Sequence, residues 1–119
     1  RRASCVVRDA GRDNPRAMQP TGCMGGRGFG FISYRADVQT CGFLDISAGN
    51  LVENGYDFAK VWDGSRFLNE IRDLPSYKGN CGECAYLRVC GGCRARAYAM
   101  TGDYRAGDPI CWYEPRAAQ

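Results

Sequence analysis

Residues 81–93 read CGECAYLRVCGGC, which sets Cys81, Cys84, Cys90 and Cys93 within thirteen positions, and Cys111 follows after a stretch with helical character. Thiols this close along the chain leave little room for separate disulfides. The spacing instead suits soft ligands gathered around iron–sulfur or zinc, since both favour thiolate sulfur. It predicts a metal-cluster domain, organised around its ligands more than around a large apolar core.

The composition narrows the choice. Eight cysteines in 119 residues force a decision between a secreted disulfide scaffold and an intracellular metal protein. The complete lack of histidine removes mixed Cys/His zinc sites and the usual haem axial ligand, so any metal here is held mostly by thiolate. A chain of this length with 45% hydrophobic residues builds one domain with a modest core. Bound metal would supply much of the missing stability. No run approaches the roughly 18 apolar residues of a membrane span, and no signal peptide is visible. We therefore expect a soluble, cytoplasmic domain with no membrane partner. The start at Arg1-Arg2, without Met, leads us to expect a piece of a longer protein.

Charge points to no particular partner. Residues 1–27 carry six Arg against Asp9 and Asp13, a net of +4 within a total of +3, so the rest of the chain sums to −1. We read residues 1–20 as a basic, solvated connector from an upstream domain, and residues 21–119 as the cluster domain. An oxidised four-iron cluster on four thiolates carries about −2, so two clusters would cancel the basic excess. Nucleic acid is accordingly not an expected partner.

The expected fold class is α+β: a small cysteine-rich domain with a β-hairpin, two or three short helices and long loops. Phe29, Phe31 and Ser33 alternate with Gly30, Ile32 and Tyr34, a turn falls at Arg35-Ala36-Asp37, and residues 38–44 return as a second strand. Glycines 25, 26, 28 and 30 suit close passage of backbone past a cluster. Asp57 caps a short helical turn through Trp62. Ser65 caps a second helix whose stripe of Phe67, Leu68, Ile71 and Leu74 reads as core, stopped by Pro75. A further helix is expected from about Cys93 to Met100, ending at Gly102.

These motifs resemble a known family. GCMGGRGFGFIS (22–33), ADVQTCGFL (36–44), FAKVWDGSRFLNEIRDLPSYKGNCGECAY (58–86) and VCGGCRARAYAMTGDYRAGDPICWYEP (89–115) are similar to the SPASM domain, the C-terminal auxiliary-cluster region of radical S-adenosylmethionine enzymes. Within that family they look like the branch acting on haem and haem d1 precursors. The resemblance covers residues 22–115. It implies one [4Fe-4S] cluster on Cys81, Cys84, Cys90 and Cys111, and a second using Cys23, Cys41 and Cys93. Cys5 is the remaining thiol for a fourth ligand, although no family motif surrounds it. Two departures stand out. Ala36 replaces a family glycine, a mild change unless the turn needs positive φ, and Gly30 stands where relatives can carry cysteine.

The resemblance also implies a tetrapyrrole substrate, an upstream radical S-adenosylmethionine barrel in the parent chain, and an electron donor such as a ferredoxin or flavodoxin. S-adenosylmethionine and a third cluster would belong to that barrel, because the C-x3-C-x2-C loop that leaves one iron open to the cofactor does not occur here. This chain alone is not expected to start a radical. The parent reaction would be oxidative decarboxylation of propionates or loss of acetate-derived groups, with this domain serving electron transfer and active-site closure. Arg88, Arg94 and Arg96 are candidates for the substrate's carboxylates, with cluster-charge screening as the alternative role. Tyr86, Tyr98, Tyr104 and Trp112 are expected to form a dry shell near the thiols, and Asp103 and Asp108 to shape the turn to Cys111.

Other readings differ in what they require. A peptide- or protein-modifying SPASM enzyme keeps the clusters and changes the substrate. A four-cysteine zinc module needs a spacer longer than the five residues between Cys84 and Cys90. A secreted disulfide scaffold requires paired cysteines.

Overall fold

The structure, a computed structural model, describes residues 22–115. Cys5 and the basic connector lie outside the described residues. The described chain forms two compact units, one of Met24–Ser76 and the other of residues 22–23 with 77–115.

In the first unit an antiparallel sheet runs in the order β1 (Phe31–Ile32), β2 (Asp37–Gln39), β3 (Gly49–Asn50). The expected hairpin is present, with Phe31 opposite Gln39 and Ile32 opposite Val38. Its turn is held by Ser33, whose Oγ accepts from Arg35 N and Asp37 N, both at 3.2 Å. Ala36 sits there at φ +67°, so the turn does require a left-handed residue. An L side chain is strained in that conformation, which makes the replacement of glycine more than a mild change. The returning strand is shorter than the sequence suggested, because after Gln39 the chain leaves the sheet and β3 takes the far edge of β2. Gly49 permits that pairing: a Cβ there would lie 2.8 Å from Val61 Cγ1.

Two helices complete the unit. Asp57 Oδ1 accepts from Lys60 N at 3.1 Å and starts α1 (Phe58–Gly64), while Ser65 Oγ accepts from Leu68 N at 3.3 Å and starts α2 (Arg66–Arg72). These caps satisfy N–H groups that have no partner inside the helix. Leu68 and Ile71 are fully buried, and Val38, Val61 and Leu68 form the core with Ala48, Leu51, Trp62 and Phe67 against it. The helix stops two residues earlier than the stripe suggested. Pro75 has no N–H and restricts the residue before it, so Leu74–Ser76 tightens into a 3-10 turn. Arg27 Nη2 then reaches the Ile71 carbonyl at 3.3 Å. Of the glycines expected to pass a cluster, Gly26 and Gly30 approach side chains of this unit instead. A Cβ at 26 would lie 3.1 Å from Ile71, and one at 30 would lie 2.7 Å from the Trp62 ring. A cysteine at position 30 could not be accommodated without moving that ring.

The second unit contains α3 (Gly79–Glu83), which the sequence did not announce, and α4 (Arg94–Thr101), which it did. Gly102 ends α4 at φ +76° and donates its N–H to Tyr98 O, a left-handed cap only glycine adopts freely. Among the described residues, no helix is long and apolar enough to cross a membrane.

Candidate metal centre

The second unit carries Cys23, Cys81, Cys84, Cys90, Cys93 and Cys111. Its path is set by backbone more than by side chains. Gly79 at φ +59° turns the chain into α3, which carries Cys81 and ends on Cys84, whose N–H donates to Cys81 O at 3.2 Å. Gly82 passes under Tyr77 so closely that a Cβ would lie 2.2 Å from the Tyr77 carbonyl oxygen. A turn then brings Cys90 N onto Tyr86 O at 2.8 Å. Gly91 and Gly92 follow at φ +67° and +60°, a consecutive left-handed pair that leads into α4.

Cys81, Cys84, Cys90 and Cys111 line a single hollow that is partly open to solvent. Gly91, Gly92, Leu87 and Tyr113 complete much of the wall. Backbone N–H groups point at three of the four sulfurs: Asp108 N to Cys81 Sγ at 3.2 Å, Tyr86 N to Cys84 Sγ at 3.3 Å, and Gly92 N to Cys90 Sγ at 3.3 Å. Hydrogen bonds to ligand sulfur are one of the means by which a protein tunes a bound iron–sulfur cluster. Cys41, Cys81, Cys84, Cys93 and Cys111 form no disulfide. Among the described residues, no three His, Cys, Asp or Glu side chains converge as they would around a single ion. Four thiols on the wall of one hollow are a donor set of the chemistry that would hold an iron–sulfur cluster.

Cys93 is not part of that wall. It caps α4, its Sγ accepting from Arg96 N at 3.5 Å, where the helix terminus favours negative charge. Cys23 is exposed, and its N–H donates to Cys90 O at 3.3 Å. Cys41 is half-buried in the other unit, just after β2.

Asp108 organises the return to Cys111. It is buried, and its carboxylate accepts from Cys93 N at 3.0 Å, Ile110 N at 3.2 Å and Arg96 Nε at 3.0 Å, while its own carbonyl accepts from Cys111 N. Burial pushes its carboxyl up, but the Arg96 guanidinium and the two N–H groups outweigh that and leave it below the usual carboxylate range. Asp103 is also held low, first by Lys78 Nζ at 2.8 Å and then by Arg105 N.

The three arginines have different surroundings. Arg94 is 5% exposed; Nη1 donates to Tyr104 O at 3.0 Å and to Ala106 O, Nη2 donates to Cys81 Sγ at 3.3 Å, and the guanidinium lies over the Tyr77 ring at 4.5 Å. Arg96 pairs with Asp108, and Arg88 is exposed. The expected aromatic shell is looser than foreseen, since Tyr86, Tyr98 and Trp112 are 45%, 40% and 51% exposed. Leu87 and Tyr113 stand in the wall instead. Their offsets of three from Cys84 and two from Cys111 are the only sequence signal that marks them.

No protein-family model matches the chain, and no solved structure matches it. Curated relatives do. The AdoMet-dependent heme synthase of Nitratidesulfovibrio vulgaris is 47% identical over 95 residues, 80% of this chain and 25% of that protein. The PqqA peptide cyclase of Rhodopseudomonas palustris is 34% identical over 105 residues, 83% of this chain and 28% of that protein. The pre-heme d1 synthase of Dinoroseobacter shibae is 47% identical over 58 residues, 46% of this chain and 14% of that protein. The chain thus spans about a quarter of the length of the first of these. It is a SPASM-type segment of the radical S-adenosylmethionine enzymes. Within them its relatives include heme synthases and a pre-heme d1 synthase, the haem branch to which the cysteine motifs pointed.

Proposed function

We propose that this chain is the auxiliary-cluster domain of a radical S-adenosylmethionine enzyme that modifies side chains of an iron tetrapyrrole. The single observation that carries the reading is the hollow lined by Cys81, Cys84, Cys90 and Cys111, with backbone N–H groups aimed at three of the sulfurs. These four thiolates would hold one [4Fe-4S] cluster. Cys23, Cys41 and Cys93 would serve a second, with Cys5 as the remaining candidate ligand. A bound cluster supplies one-electron transfer at little structural cost. The chain's own residues supply the ligands, wall part of the site with Leu87 and Tyr113, and tie distant parts of the sequence to one centre. S-adenosylmethionine and the cluster that cleaves it belong to the barrel of the parent protein, and an electron donor of the ferredoxin or flavodoxin type completes the system.

The heme synthase and pre-heme d1 synthase relatives support a tetrapyrrole substrate, with decarboxylation or removal of a carboxylate side chain as its reaction. Arg88 is the exposed guanidinium of the three candidates, and we assign it to substrate carboxylates, since Arg94 and Arg96 are engaged within the unit.

The test is iron, acid-labile sulfide and zinc per chain in the full-length parent after anaerobic reconstitution, for wild type and a variant with Cys81, Cys84, Cys90 and Cys111 all changed to Ala. The reading expects the variant to lose about four irons and four sulfides while the other clusters load. It also expects the wild type to consume a propionate-bearing iron tetrapyrrole. Stoichiometric zinc on these cysteines, or turnover of a peptide in place of a tetrapyrrole, would overturn it.

A further inference from the structure

We infer that Arg94 is the counter-ion of the cluster bound through Cys81 and that its charge sets the reduction potential of that cluster; this rests on the cluster reading proposed above. A buried guanidinium is costly unless an anion balances it. Arg94 is 5% exposed, yet its partners among the described residues are two backbone carbonyls, an aromatic face and one sulfur. None is a carboxylate. The nearby buried acid, Asp108, gives its carboxylate to Arg96, Cys93 N and Ile110 N, so its charge is already matched. Arg94 Nε is buried with no hydrogen-bond partner among the described residues. The group that would complete this balance is the thiolate of Cys81 together with the cluster's own negative charge.

The backbone is shaped to let the guanidinium reach that sulfur. A Cβ at Gly92 would lie 2.6 Å from Arg94 Nη2, 3.0 Å from Cys81 Sγ and 3.1 Å from Asp108 Cβ. Any side chain there would occupy the gap through which cation and sulfur meet. The carbonyls of Tyr104 and Ala106 fix one edge of the guanidinium, and the Tyr77 ring fixes its face, so its position is set without the cluster. One-electron reduction adds one negative charge and no proton. A fixed positive charge at hydrogen-bond distance from a ligand sulfur favours the reduced form and raises the potential. Arg94 is thus a positioning residue for electron transfer, with no contact to substrate required of it.

The experiment is a potentiometric titration, followed by electron paramagnetic resonance, of the full-length reconstituted enzyme as wild type, Arg94→Lys and Arg94→Gln. The relevant signal is the one that Cys81→Ala abolishes. Arg94→Gln keeps a neutral donor and removes the charge, whereas Arg94→Lys keeps the charge and removes the fork. We expect Arg94→Gln to lower the reduced-to-oxidised ratio at fixed solution potential at least tenfold, which is about 59 mV for a one-electron couple. Arg94→Lys should stay within a few-fold of wild type. If Arg94→Gln cannot retain this cluster while Arg94→Lys does, the charge requirement is equally supported. An unchanged potential in Arg94→Gln, an equal shift in both variants, or equal loss of the cluster from both would overturn the inference and leave Arg94 a structural tether. A wild-type enzyme that takes up no iron at Cys81 would instead overturn the cluster reading itself.

Discussion

Two single residues carry backbone constraints that their side-chain chemistry hides. Ala36 holds φ +67° at the tip of the β1–β2 hairpin, where an L residue pays about 1–2 kcal/mol relative to glycine. Glycine returns part of that through the entropy of the unfolded chain, about 0.5–1 kcal/mol. Ala36→Gly should therefore stabilise the protein by about 0.5–1 kcal/mol, read as a higher unfolding midpoint in denaturant. A lower midpoint would mean that the turn relaxes out of the left-handed region in solution. Gly92 is the opposite case, because it combines φ +60° with a Cβ position 3.0 Å from Cys81 Sγ. Gly92→Ala faces both backbone strain and overpacking, so it should cost about 2–4 kcal/mol and reduce iron retention during desalting. Iron retention and stability equal to wild type would show that the Gly91–Gly92 turn has room the structure does not suggest.

At the scale of elements, α4 and the loop after it behave as one device, because Asp108 clamps the helix start at Cys93 and the approach to Cys111. Its side chain is 1% exposed against 40% for Arg96, so the pair is sheltered at the acid and open at the base. A carboxyl whose folded pKa lies below its unfolded value of about 3.9 stabilises the fold fully above that pH. The contribution is lost as pH falls through the lower folded value. Asp108→Asn should therefore cost about 2–3 kcal/mol at pH 6–7, as expected for a hydrogen-bonded buried charge, and flatten the acid limb of the stability curve below about pH 4. Thermal midpoints of oxidised holo-protein from pH 3.5 to 7 would check this, and parallel curves for variant and wild type would contradict it. Asp103 has the same sign but is mostly screened by solvent, so it should contribute little. Helices α1, α2 and α4 were legible because Asp57, Ser65, Pro75 and Gly102 are local signals that act within one turn. Helix α3 was not, since GNCGE offers two glycines and no side-chain cap. Strand β3 is Gly49-Asn50, residues that favour turns, and it forms only because the Val38 and Ala36 carbonyls accept from Ala48 N and Leu51 N. Likewise, the cysteine spacing marked the ligands, but nothing local indicated that Arg94 would turn inward to Cys81 while Arg88 stays at the surface.

Across the whole molecule the two units differ in what can hold them together. Met24–Ser76 has a conventional aliphatic core in Val38, Leu44, Val61, Leu68 and Ile71. Burial of each such side chain contributes about 1.5–3 kcal/mol against the entropy of ordering the chain. Among its described residues, the other unit has only Tyr77, Cys81 and Ala97 as buried hydrophobic side chains. Cys81 is itself a proposed ligand. Residues 77–115 therefore lack the apolar burial to offset their ordering, and a cluster that ties Cys81, Cys84, Cys90 and Cys111 would supply the difference, much as structural metals do in small domains. Removing iron under reducing conditions should abolish amide protection in α3, α4 and the loop to Cys111, while amides of α2 and β2 remain protected longer. Hydrogen exchange on the full-length protein, with and without reconstituted clusters, reads this segment by segment. Equal protection of α4 in the iron-free and iron-loaded states would show that hydrogen bonds such as those of Asp108 and Arg94 suffice to fold the unit. In that event the hollow among the four thiols would be a preformed site that the metal enters after folding, and the cysteines would owe their placement to the backbone alone.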